Sequence, residues 1–290
     1  MNQLRRIFDL FIFGNVFIGL CSVALVFNTF LINGFPIQLT SSVVLVFSST
    51  WFYYNFHHHS HHLDFTSFGV FKISVRARHF NTLDYLMLFI PACGIIFSIV
   101  FVQLPVLIAF LLISFFSILY SIPLVMWNGR RRRLRESLFL KLPFLALSWA
   151  AVTVLIPLLE QEQAVDTGKI LGQAFARALF IYGLCIPFEI RDHDSEKKWG
   201  TNTLPVVYGI KITKIVGILM LALGIALRHL SPDPMRLSTD IIRALDLSFI
   251  VAMIWILSAK SNPSKYFCKF YVDGTMILQF IFVYLAILRA

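Results

Sequence analysis

Residues 85–128 read YLMLFIPACGIIFSIVFVQLPVLIAFLLISFFSILYSIPLVMWN, and no charged side chain occurs between Tyr85 and Asn128. A spanning helix takes about 20 apolar residues, so this run is too long for one crossing and reads as two. The break falls at Val102-Gln103-Leu104-Pro105. A proline in the first turn of a new helix loses no hydrogen bond, because the N–H it lacks has no partner there. The stretch therefore predicts a tight hairpin of two spanning helices and, with it, an all-α polytopic membrane protein.

The same reading extends in both directions. The chain has 290 residues, 58% of them apolar and only 14% charged, with a mean hydropathy of +0.78. Soluble domains are closer to half apolar and a quarter charged. A soluble enzyme and a disordered chain are both excluded. Candidate spans lie at 10–33, 38–56, 83–102, 105–127, 138–159, 170–188, 204–227, 240–259 and 268–288. They form one domain over 1–290, a transmembrane helical bundle of about nine spans around a central cavity. The first apolar run, behind Arg5 and Arg6, is too long for a signal-peptide core and is expected to be retained. Lys211 and Lys214 fall inside the seventh span and would snorkel toward the nearer surface. Cys21, Cys93, Cys185 and Cys268 form no CxxC pair and read as buried apolar residues.

The net charge of +10 sorts by side. Arg5 and Arg6, Lys72, Arg76 and Arg78, the Arg130–Arg135 run, Arg191, Lys197 and Lys198, and Lys260, Lys265 and Lys269 all fall on the side of the N-terminus. Lys169, Arg228, Arg236 and Arg289 fall opposite, beside Glu160, Glu162 and Asp166. The positive-inside rule then makes the N-terminus cytoplasmic, and a bacterial inner membrane is the expected location. An arginine run between two spans meets anionic lipid headgroups, so membrane lipids are expected partners and nucleic acid is not.

Acidic residues number only 15, yet Glu189, Asp192, Asp194 and Glu196 fall within eight positions at the end of the sixth span. On a helix Glu189, Asp192 and Glu196 share a face through their i, i+3, i+7 spacing, while Asp194 points elsewhere. Carboxylates crowded at a membrane surface repel one another unless a cation sits among them. An all-oxygen ligand set suits a hard ion such as Mg²⁺, which commonly bridges carboxylates to phosphate oxygens. Arg191, Lys197 and Lys198 add charges for the rest of a diphosphate. The other reading is a solvated loop in which Asp194 pairs with Lys198.

The stretch Glu189-Ile-Arg-Asp-His-Asp-Ser-Glu-Lys-Lys-Trp-Gly-Thr-Asn-Thr-Leu-Pro205 resembles the second aspartate-rich motif of the UbiA superfamily of intramembrane prenyltransferases, D-I-R-D-x-E-x-D-K-x-x-G-x-x-T-L-P. Ile190, Arg191, Asp192, Lys197, Gly200, Thr203, Leu204 and Pro205 match directly. Glu189 and Glu196 stand where that family has Asp, and Asp194 stands for another acid. The resemblance implies nine spans and a cytosolic loop carrying this motif. It also implies Mg²⁺-dependent transfer of an isoprenyl group from its diphosphate to an apolar or aromatic acceptor. In that scheme Asp192 and Glu196 are the main Mg²⁺ ligands, Glu189 and Asp194 are auxiliary, and Arg191 and Lys197 contact the diphosphate. The metal neutralises charge on the leaving group, and aromatic faces suit the allylic cation.

The family's first motif, N-D-x-x-D-x-x-x-D, falls on Asn55-Phe-His-His-His-Ser-His-His-Leu-Asp64, where only Asn55 matches. Phe56, His59 and Leu63 occupy the Asp positions, with Asp64 displaced by one. Asn55 is taken as a catalytic-site residue, Asp64 as a further metal ligand, and Arg76 and Arg78 as diphosphate contacts. His57 with His61 and His58 with His62 are i, i+4 pairs that read either as a transition-metal site or as a polar rim. Tyr120, in Tyr120-Ser-Ile-Pro123, and Lys141 also resemble family features that bind substrate. By position alone they read as an interfacial aromatic and a snorkelling lysine. Arg177, inside the sixth span, is costly there unless paired. Prenyl transfer is the leading function. A non-catalytic relative that binds prenyl lipids or a protein partner is the alternative, and a transporter finds no pair of broken helices to support it.

Overall fold

Glycine, asparagine and proline decide where the apolar segments of this chain bend. The computed structural model describes residues 3–60, 82–121, 125–127, 130–132, 137–138, 140–161, 165–230 and 237–289. The first predicted span is two helices, α1 (Gln3–Phe13) and α2 (Val16–Ile32), bent by 58°. Asn15 sits at the bend in the left-handed region, φ 61°, which Asn tolerates better than most residues because its short amide can hydrogen-bond locally. Helix α3 (Ser41–Ser60) follows, then α4 (Thr82–Phe101) and α5 (Leu104–Ser121). The break before Pro105 is where the sequence places it. The tight hairpin is not: α4 packs chiefly on α3, whereas α5 packs on later elements. The described part of helix α5 ends at Ser121, whereas the sequence carries this span to 127. Val125–Trp127 is instead a short strand, β1, paired antiparallel with β2 (Arg130–Arg132).

The fifth predicted span is α6 (Lys141–Ala150), a π-helical turn (Ala151–Leu155) and α7 (Ile156–Leu159). Pro157 in α7 cannot donate to the carbonyl of Thr153 four residues back, and the wider turn absorbs its ring. The freed oxygen is satisfied across the bundle, where Thr29 Oγ1 on α2 donates to Thr153 O at 2.8 Å. A backbone group inside a membrane needs such a partner, since hydrocarbon supplies none.

The remaining helices are α8 (Thr167–Trp199), α9 (Leu204–Leu230), α10 (Thr239–Ser258) and, after a second π-helical turn (Phe267–Val272), α11 (Asp273–Arg289). Neighbours in sequence pack together from α8 onward, and α11 returns to α2. The main core centres on α8, with Phe180, Ile181, Leu184, Ile186 and Ile190 buried. Small residues let α9 approach α8 closely: a Cβ on Gly217 would lie 2.6 Å from Ile186 Cγ1. Small-residue contacts of this kind are how helices associate without a hydrophobic driving force between them.

Among the described residues, six helical segments are long and apolar enough to cross a membrane, seven if the bent α1–α2 pair is one span. The described residues of the predicted apolar segments are mostly helical, but α5 is shorter than a full span and α3 is not among the helices apolar enough to cross. Phe89, Phe97, Phe101, Phe115 and Phe116 are exposed on α4 and α5, so much of the phenylalanine content faces outward. Cys21 and Cys268 are buried and Cys185 is partly so, whereas Cys93 is exposed on α4, contrary to expectation. Lys214 reaches along the bundle and donates to Leu257 O at the end of α10.

Candidate functional site at the carboxylate end of α8

Helix α8 does not stop where the apolar residues do. It runs on through the acidic motif to Trp199 and is closed by Gly200 in the left-handed conformation, φ 67°, a position that glycine fills without strain. The motif up to Trp199 is therefore helix rather than loop, and the i, i+7 relation of Glu189 and Glu196 becomes real geometry. Both carboxylates meet one ammonium. Lys141 Nζ, at the first residue of α6, is 2.7 Å from Glu189 Oε1 and 2.5 Å from Glu196 Oε1. The snorkelling expected of Lys141 is thus replaced by a buried bridge, because two acids on α8 offer it a partner inside the protein.

Tyr120 holds the same corner. It is buried, its hydroxyl donates to Lys141 O at 3.0 Å, and its ring stacks on Phe144 with centroids 4.4 Å apart. It is not an interfacial belt residue. Asp192 takes a separate cation: Arg191 donates to it through Nε at 2.8 Å and Nη2 at 2.9 Å, the paired geometry that makes guanidinium–carboxylate contacts strong. The Arg191 guanidinium also lies 5.0 Å from the Phe188 ring centroid. Asp194 points away from this face, with its side chain 73% exposed, and contacts His193 at 2.8 Å rather than pairing with Lys198. Lys197 and Lys198 are exposed.

Asn55 is buried and belongs to the α1–α2 bend. Its amide donates to Gly14 O and Trp51 O, each at 3.0 Å, and its oxygen accepts from Asn15 Nδ2 at 3.1 Å. Asn15 Oδ1 in turn accepts from Lys269 Nζ at 2.8 Å. Asn55 therefore braces the bend instead of presenting a free amide. Phe56 is 50% exposed. Asp64, Arg76 and Arg78 lie outside the described residues, as do the side chains of the histidine cluster.

Two residues not singled out from sequence, Asp273 and Tyr54, join this end. Asp273, at the start of α11, is buried, and Lys269 and Arg191 are the cations acting on its carboxyl. Tyr54 on α3 feels the Asp273 carboxyl as well. The signal for Asp273 was present: an acid inside an apolar span, one turn after a lysine, marks function by default.

Cations here are matched to carboxylates, and two motif atoms remain unmatched. Glu196 Oε2 and Thr203 Oγ1 are buried without a hydrogen-bond partner among the described residues. Buried polar atoms normally have a hydrogen-bond partner, from the protein, water or a ligand. The donor set fits a resident hard cation only in part. One buried carboxylate oxygen is open, but Lys141 and Arg191 occupy the others, and among the described residues no three of Asp, Glu, His or Cys gather as metal ligands. Comparisons of this chain with protein families, with curated proteins and with solved structures find no match.

Proposed function

We propose that the protein is a membrane-embedded transferase that moves an isoprenyl group from a polyprenyl diphosphate to an apolar or aromatic acceptor, with Mg²⁺ entering alongside the diphosphate. The observation that carries this reading is the pair of unmatched motif atoms, Glu196 Oε2 and Thr203 Oγ1, buried at the end of α8 where the sequence resembles the UbiA second motif. Mg²⁺ would supply charge neutralisation on the leaving diphosphate. Asp192 and Glu196 would face the metal, with Glu189 and Asp194 supporting them. Lys141 and Arg191 would turn toward the diphosphate oxygens as ligand loosens their carboxylate pairs, and the exposed Lys197 would join them. Tyr120 would hold Lys141 in position through the hydrogen bond to its carbonyl. The cation bias supports a cytoplasmic N-terminus, and the reading puts the chain in a bacterial inner membrane, with nine crossings if α3 and α5 both span.

A second reading is a non-catalytic protein that binds prenyl lipids or a protein partner. It is favoured by the Lys141 bridge, which occupies one oxygen each of Glu189 and Glu196, and by Phe56 at the first aspartate position of the other motif. The test is a prenyl-transfer assay on purified protein with labelled diphosphates of several chain lengths, a membrane extract as acceptor pool, and Mg²⁺ present or chelated. Transfer that needs Mg²⁺ and is lost in Asp192→Asn supports the enzyme. Binding of the prenyl donor without turnover, unaffected by chelation, supports the second reading.

A further inference from the structure

Arg177 lies on α8 roughly 18 Å along the helix axis from Glu189, at 1.5 Å per residue. It is 6% exposed, and its Nη1 has no hydrogen-bond partner among the described residues. A charge so deep in an apolar bundle is retained only where something neutralises it. Arg177 lines a half-open cleft with an accessible volume of about 30 Å³, shared with Gln173, Arg228, Phe180, Phe249 and Gln279. The accessible interior takes a small ion or a few waters and not a prenyl chain.

The other polar groups of this cleft are already engaged. Arg228 donates to Asp246 Oδ1 through Nε at 3.1 Å and Nη2 at 2.7 Å, and its guanidinium lies 4.1 Å from the Phe249 ring centroid. Arg228 is thus a buried bundle residue and not the loop cation expected from sequence. Asp246 Oδ2 is taken by His229 Nε2 at 2.6 Å. Gln173 and Asn33 bond each other reciprocally, at 3.0 and 3.1 Å. Gln279 accepts from Asn28 at 3.0 Å and donates to Ser248 Oγ at 2.8 Å. Among the described residues, Arg177 and Arg228 against Asp246 leave one positive charge, and none of those lining the cleft is a carboxylate.

We infer that the cleft between α2, α8, α9, α10 and α11 binds one small monovalent anion of chloride size, held by the Arg177 guanidinium. The charge count sets the valence and the cleft sets the size. The walls of Phe180 and Phe249 strengthen the attraction by excluding water. An anion there ties α8 to the rest of the bundle at the end away from the carboxylates, so it acts as a structural ligand.

The experiment is equilibrium binding of chloride-36 to the purified full chain in a neutral detergent, with thermal unfolding followed in parallel. Wild-type protein is expected to bind chloride saturably, one per chain, with competition by bromide and none by gluconate. Replacing chloride by gluconate at constant ionic strength should lower the melting temperature by on the order of a few degrees. Arg177→Gln should lose at least tenfold in chloride affinity and become insensitive to the exchange, whereas the exposed Arg289→Gln should match wild type. Chloride binding that persists in Arg177→Gln overturns the inference. So does wild-type protein that binds no chloride, a result that does not depend on whether the variant folds. Stabilisation by anionic lipid alone, with no chloride bound, would assign the cleft to a headgroup and also overturn it.

Discussion

The two ends of α8 bury charge in opposite ways. At the Glu189–Glu196 end, acids and bases are interleaved: Lys141 bridges two carboxylates and Arg191 forks a third. At the Arg177 end the cations outnumber the acids, and the polar side chains around them are amides that bond one another. The first arrangement sets two cations against three carboxylates and can exchange its ion pairs for a ligand that carries both charges, as a metal diphosphate does. The second is a fixed scaffold with one charge left over. One helix thus carries the site we propose for turnover at one end and the site we propose for holding the bundle at the other.

The largest effect expected is at the bridge. Lys141→Met leaves Glu189 and Glu196 facing each other in a low-dielectric corner, and breaking a buried pair on one side typically costs about 3–5 kcal/mol. Denaturation in detergent should register that loss. Adding Glu189→Gln to Lys141→Met should recover part of it, and an unchanged double variant would mean the bridge is not the source of the loss. At the other end, Gly224→Ala would put a Cβ 2.5 Å from Phe249 Cε1. The ring that would have to move lies beneath Arg228, so overpacking of about 1–3 kcal/mol is expected, with no loss of prenyl-donor binding. An equal loss of donor binding would show that the two ends do not act independently.

Smaller effects sharpen the contrast. Gln279→Leu removes the link from Asn28 to Ser248, and polar pairs inside membrane bundles are worth about 0.6–1.7 kcal/mol. The same thermal measurement should find the cost in that range. Asp194→Asn changes an exposed carboxylate and should stay within about 0.5 kcal/mol of wild type in stability. Its effect on donor binding should be well below that of Asp192→Asn. Reversal of that order would move the site off the shared face of α8.

How far these features were legible from sequence depends on the range of the interaction that makes them. The break before Pro105 and the shared face of Glu189 and Glu196 are local, set by one ring and by helical periodicity, and both stand. The bend at Gly14-Asn15 was hidden inside a continuous apolar run. What fixes it comes from elsewhere in the chain: Trp51 and Asn55 donate to Gly14 O, and Lys269 holds Asn15. Lys141 and Arg228 read as surface cations because each sits near a span end, and their carboxylate partners lie on other helices. Tyr120 misled for the same reason. The pairing of α4 with α3, where a hairpin with α5 was expected, shows that a short connection does not by itself dictate packing in a bundle with several apolar faces on offer.

The central claim is that the carboxylate end of α8 binds a metal diphosphate carrying a prenyl chain. Titration of purified wild-type protein with a labelled polyprenyl diphosphate, with and without Mg²⁺, tests it most directly when repeated on Glu196→Gln and Asp192→Asn. The account predicts saturable binding that requires Mg²⁺ in the wild type and falls by at least tenfold in both variants, which is about 1.4 kcal/mol or more of binding free energy. Binding that ignores both Mg²⁺ and the two substitutions would contradict it.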